Sequence, residues 1–177
     1  VEMAKKIANE PLPTVNELPA QTKRGFVSAT IHPHAALPVH AGTASWNWVK
    51  RSILEQKTLP HPRMVRVEEL INAFGPTGGQ VVNVGGVDMM AEAANILPGS
   101  NQLRLAVSLK NPMTDAAHVT WRYESQGVER YRLCGFASPS LSSQKQDLLA
   151  SGESTTLLLE ISANAPISEV GELVAIV

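Results

Sequence analysis

After Gly78 the chain reads as one short extended run after another, each closed by a turn signal. The runs cover 80–84, 86–96, 101–110, 116–124, 127–137, 154–163 and 170–177. Gly-Ser, Asn-Pro, Gln-Gly and Ser-Gly pairs separate several of them, and such pairs punctuate strands. Runs such as "QLRLAVSLK" and "STTLLLEIS" carry the apolar and β-branched residues that suit a pleated sheet. Regular short strands of this kind predict a sandwich or barrel and not a parallel α/β sheet. With 177 residues, 44% of them hydrophobic, the chain can bury one core of useful size.

The first part differs. Residues 1–24 hold Pro11, Pro13 and Pro19 among polar neighbours and read as an extended lead-in or linker. "GFVSATIHP" (25–33) reads as a strand, and Pro33 and Pro38 confine the chain after it to loops or sheet edges. A helix is expected over about 43–57, with Thr43 as N-cap and Trp46, Val49 and Ile53 on one face. Trp48 falls ~200° around that helix from Trp46, among Arg51, Ser52 and Glu55. "LPHP" at 59–62 breaks it. A second helix is expected over 65–74, ended by Gly75 and Pro76. Its Val67, Leu70, Ile71 and Phe74 recur at i, i+3, i+4 and i+7 and form one apolar stripe. The expected fold is therefore α+β and mostly β: an antiparallel β-sandwich-like core with two accessory helices over one face or end. Burial of the stripe would contribute ~1.5–3 kcal/mol per large side chain before entropy costs.

Composition excludes several functions. A net charge of −1 speaks against broad electrostatic binding of nucleic acid or anionic membrane. No apolar run is long enough to form a transmembrane helix. The single cysteine, Cys134, rules out an internal disulfide and reads as a buried thiol in "YRLCGF". The densest polar cluster is "HPHAALPVH", with His32, His34 and His40 as weak candidate metal ligands. Pro33 interrupts any regular strand there, and no carboxylate lies near in sequence. Glu68 and Glu69 diverge by ~100° on a helix, so they do not form an acid/base pair; in a first turn they favour the helix dipole. "GPTGG" and "NVGG" lack the pattern of a phosphate loop. The serine-rich "SPSLSSQ" (138–144) is a turn and not a nucleophile elbow. Trp48, on the polar side of its helix, either folds against the lead-in or anchors a partner.

Three stretches together resemble one family. "LPVHAGTASWNWVKRSILEQKTLPHPRMVRVEELINAF" is similar to the N-terminal region of bacterial von Willebrand factor type A envelope lipoproteins, with "VRVEELINAF" the most specific part. "VDMMAEAANILPGSNQLRLAVSLKN" resembles the segment leading into their A domain. "HVTWRYESQGVERYRLCGFAS" with "LASGESTTLLLEI" and "GELVAIV" resembles the region after that domain. The A domain itself is missing. Asp88, Asp115 and Asp147 are followed by Met-Met, Ala-Ala and Leu-Leu, so no metal-ion-dependent adhesion motif is present. The family's Asp-x-Asp aligns with His40 and Gly42. The resemblance implies that 25–177 form a single domain from two flanking regions joined near 110–116. Strands 101–110 and 116–124 can then be neighbours across a hairpin-length connection. It further implies a non-catalytic protein-interaction or scaffold role in the cell envelope, with no cofactor and another protein as partner. The alternative is a metal-dependent binder or hydrolase using His32, His34 and His40. Because the chain opens on Val1, a leader or other segment is expected upstream.

Overall fold

The computed structural model describes residues 12–14, 25–39, 42–75, 78–136, 147–163 and 171–177. Most of the lead-in, His40 and the serine-rich turn lie outside these. The described elements are β1 (Val27–Ser28), β2 (His34–Ala36), α1 (Ala44–Leu54), a 3-10 turn (Pro62–Met64), α2 (Val67–Phe74), β3 (Gln80–Val84), β4 (Val87–Asn95), β5 (Gln102–Lys110), β6 (Ala117–Glu124), β7 (Arg130–Leu133), β8 (Asp147–Leu149), β9 (Ser154–Ser162) and β10 (Glu172–Ile176).

Every pairing is antiparallel. One sheet runs β1-β7-β9-β5-β4-β3; the other runs β10-β6-β2, with β8 also paired to β6. The longest ladder joins β5 to β9, from Gln102↔Ser162 to Lys110↔Ser154. Alternation sets which residues meet in the middle. Leu103, Leu105, Val107 and Leu109 of β5 point inward with Leu157, Leu159 and Ile161 of β9. Val119, Trp121 and Tyr123 of β6 belong to the same cluster, so both sheets close on one interior. Buried polar atoms there find partners, as they must. The Tyr131 hydroxyl donates to the His32 carbonyl at 2.8 Å and Trp121 Nε1 donates to the Pro38 carbonyl at 3.1 Å. Tyr123 and Tyr131 meet edge to face at 5.3 Å. Burial pushes the Tyr131 phenol up to about 12. It also raises that of Tyr123, with Tyr131 adding to the effect.

The sandwich matches expectation; several details do not. Helix α1 ends at Leu54 and the Thr43 side chain makes no capping bond. The strand expected at 25–33 shrinks to β1; that expected at 127–137, whose last residue lies outside the described ones, is reduced over 127–136 to β7. The short β8 was not anticipated. Strands β5 and β6 are not neighbours. Both edges of β5 are already taken, by β4 and β9, so the chain crosses to the second sheet. Asn111, fully buried, organises that crossing. Its Nδ2 donates to the carbonyls of Asp115 and Leu149 at 2.8 and 3.0 Å, and its Oδ1 accepts from the Met113 amide at 3.0 Å. The helices stand beside this interior: no residue of α1 or α2 belongs to the core cluster.

Leu159→Ala empties a fully buried site in β9 and should lower the unfolding free energy by ~2–5 kcal/mol. Ile31→Ala, at a residue 72% exposed, should change it by less than ~0.5 kcal/mol. Urea unfolding of both variants checks the contrast.

Candidate functional site: an apolar groove beside the helix pair

Ser45, with no exposed surface, ties α1 to α2. Its amide donates to Glu69 Oε2 at 2.7 Å and its hydroxyl donates to the Met64 carbonyl. The same oxygen accepts from the Arg66 amide at 2.9 Å. Arg66 holds the extended N-cap position of α2. Its guanidinium lies 2.8 Å from Glu69 Oε1 and 3.2 Å from Glu68 Oε1. Both carboxylates are buried, at 5% and 8% exposure. The two acids diverge along the helix, as their spacing requires, yet both bend back onto one cation. Position in the first turn adds a favourable dipole interaction.

This polar side of α2 is the seated side. A Cβ on Gly42 would come 3.2 Å from Glu69 Oε1. Gly135, at φ +85°, lies so close that a Cβ would sit 2.4 Å from the Glu68 amide nitrogen. One turn later Asn72 Oδ1 accepts from the Thr156 amide at 2.9 Å, extending the β9 ladder past the end of β7. At ~100° per residue, Glu68, Glu69 and Asn72 centre roughly opposite Val67, Leu70, Ile71 and Phe74. The apolar stripe therefore lies outside the core, contrary to expectation, with Leu70 and Ile71 half-buried over the outer face of the sheet and its two ends open. Val67 is 48% exposed and Phe74 64%.

The stripe forms one wall of a groove. Leu70, Ile71, Phe74 and Gly75 face Ala106 and Thr156, which point outward from β5 and β9, around a volume of about 330 Å³. Trp46 meets Phe74 edge-on at 4.8 Å. Ile53 and Leu54, both exposed, extend the apolar character of α1. Among the described residues the lining carries no titratable side chain. It can seat one or two apolar side chains.

The other sequence candidates fall elsewhere. Trp48 is half-buried. The buried residues of α1 are Ser45 and Ser52, so its inward stripe passes Trp48 and not the expected Trp46–Ile53 face. His32 gives its carbonyl to Tyr131, and His34 is exposed on β2. Its register mate Glu124, remote in sequence, brings Oε1 to 3.9 Å from His34 Nδ1 and also accepts from Arg122 Nε at 2.7 Å. Among the described residues no three His, Cys, Asp or Glu side chains cluster to hold a metal ion. Cys134 is half-buried beside a ladder in which Glu160 pairs with Arg132 at 2.5 Å and Arg104 at 3.3 Å. Burial, reinforced by Glu160 and opposed by the two arginines, pushes its thiol up to about 11.

Residues 14–95 match the vWF_A family model, described as von Willebrand factor. The matched stretch includes both helices and stops at the end of β4, and it supports a von Willebrand factor A-like region there. Neither a curated protein nor a solved structure matches the chain.

A raised thiol pKa means less thiolate at neutral pH. At pH 8 Cys134 should react with an aromatic disulfide reagent at least ~10-fold more slowly in the folded protein than in urea. Equal rates would show that the thiol is open and activated.

Proposed function

We propose that this chain is a non-catalytic protein-interaction or scaffold protein of the bacterial cell envelope, and that a partner docks on the groove beside α2. The observation that carries this reading is the outward apolar stripe. Phe74 remains mostly in water on a helix whose charged side chains are buried. Exposed apolar surface next to a preformed groove is characteristic of sites that bind other proteins. The von Willebrand factor A-like region supports it, since such domains are in general interaction modules. In this reading 25–177 are one domain made from two flanking regions joined near 110–116. The core cluster spanning Ala29 to Ile161 favours that. The envelope location rests on the resemblance of "VRVEELINAF" and its neighbours. No helix among the described residues is long and apolar enough to cross a membrane. Trp48 serves in this proposal as a flanking anchor, using the part of its ring left in water.

Cross-linking in the intact cell, followed by affinity measurement on the purified pair, tests the reading. Phe74→Ala should weaken binding by ~10-fold or more, as truncation of an aromatic anchor does. Trp48→Ala should weaken it less, with the melting temperature within ~3 °C of the parent. Absence of any cross-linked envelope protein, or binding indifferent to Phe74→Ala, would remove the proposal. A large melting drop for Trp48→Ala would assign that residue to packing.

A further inference from the structure

The outer face of the six-stranded sheet continues beyond the groove. Leu103, Leu105 and Val107 of β5 point into the core, so Arg104 and Ala106 point out. Leu157, Leu159 and Ile161 of β9 also point in, so Leu158 and Glu160 point out. On β7, Tyr131 and Leu133 are buried, and Arg130 and Arg132 take the outer face. Register sorts these outward residues into rows. Ala106 stands beside Leu158; Arg104 stands beside Glu160, and Glu160 beside Arg132. Ala106 lines the groove. The charged row therefore begins one side-chain repeat from the groove, ~7 Å along the strand.

That row holds more positive charge than its own pairing uses. Glu160, buried, is shared: its Oε2 accepts from Arg132 Nε at 2.7 Å and its Oε1 from Arg104 Nε at 3.3 Å. The side chains of Arg104 and Arg132 stay 53% and 38% exposed. A guanidinium has five N–H donors, so each keeps donors for a second acceptor. Among the described residues Arg130 makes no ion pair. Its guanidinium lies over the Phe26 ring at 5.2 Å, with that of Arg132 over the same ring at 4.9 Å. Three guanidiniums thus accompany one carboxylate, and the shared ring and shared acid hold them in place. On the other side of β5 stands Glu92, the register mate of Ala106. The surface is polarised, with an acid on the β4 side of the groove and excess positive charge towards β7.

We propose that the groove receives an extended acidic–apolar segment of another protein. An apolar side chain enters the groove, and carboxylates two and four residues away meet the arginines. This rests on the groove's docking role and names what docks there. Charge complementarity selects the occupant: an uncharged or basic segment would leave the excess guanidinium charge unanswered, whereas carboxylates meet arginine through charge-assisted, often bidentate, hydrogen bonds. Spacing selects a polypeptide: alternate side chains on an extended chain repeat at the same ~7 Å as the rows beneath them. A net charge of −1 for the whole chain makes the basic cluster local, which suits a short acidic segment and not a polyanion.

Fluorescence anisotropy with the purified chain tests this. The probe is a labelled nonapeptide, Glu-Thr-Glu-Thr-Leu-Thr-Glu-Thr-Glu, whose acids flank leucine symmetrically so that either chain direction meets the arginines. Its counterpart with glutamine for every glutamate should bind at least ~10-fold more weakly, as should the version with serine for leucine. Arg130→Ala, which leaves both Glu160 pairs intact, should cut affinity for the acidic peptide ~3-fold or more at an unchanged melting temperature. Sodium chloride at about 0.5 M should weaken the acidic peptide and spare the neutral one. Phe74→Ala should weaken both. Equal affinity for the two peptides, each weakened by Phe74→Ala, would overturn this inference and leave the groove's docking role standing. Acidic-peptide binding indifferent to Phe74→Ala would overturn both. No saturable peptide binding up to about 1 mM would also overturn the inference, and binding of phosphatidylglycerol vesicles in that case would give the surface to lipid.

Discussion

Arg66 is the residue on which the helical part of the molecule turns. Its guanidinium holds Glu68 and Glu69 together, and Glu69 in turn accepts the Ser45 amide. A carboxylate taken out of water without a partner costs several kcal/mol, more than the ~1.5–3 kcal/mol lost by leaving one large apolar side chain in water. Once the acids are seated against Gly42 and Gly135, helix geometry turns Val67 and Phe74 to solvent and leaves Leu70 and Ile71 half-buried over the outer face of the sheet. The same contact thus fixes α1 to α2, fixes α2 to the sheet and creates the apolar wall of the groove.

The sandwich obeys a different rule. Its interior is made by period-two alternation on β5, β6 and β9, and it closes without any helical side chain. The helix pair is an addition to the outer side of β9, bonded to it through Asn72, which accepts from the Thr156 amide. Packing thus supplies the body, and a small polar cluster supplies the orientation of the surface that the proposed partner would meet.

This division explains what could be read from the sequence. Strands β3 to β6, β9 and β10 were legible within about two residues because alternation is local. Helix existence was legible too, from the spacing of Val67, Leu70, Ile71 and Phe74. Which face of each helix is buried was not. An apolar stripe ordinarily marks the inward side, and that inference fails where polar side chains are satisfied by distant partners. Arg66 lies close enough to Glu68 and Glu69 in sequence to have hinted at pairing, but Ser45 and Gly135 gave no local sign. Glu124 beside His34 and the crossing at Asn111 were hidden for the same reason: sheet order alone brings them together.

The orientation of α2 can be tested by substituting its two sides in parallel and measuring unfolding free energy in urea. Glu69→Leu removes the acceptor of the Ser45 amide and one Arg66 contact, and should cost ~1.5–3 kcal/mol. Phe74→Lys, on the open side, should cost less than ~1 kcal/mol. The reverse order, with the lysine ruinous and the leucine tolerated, would mean that the stripe is buried and that the groove does not exist as described.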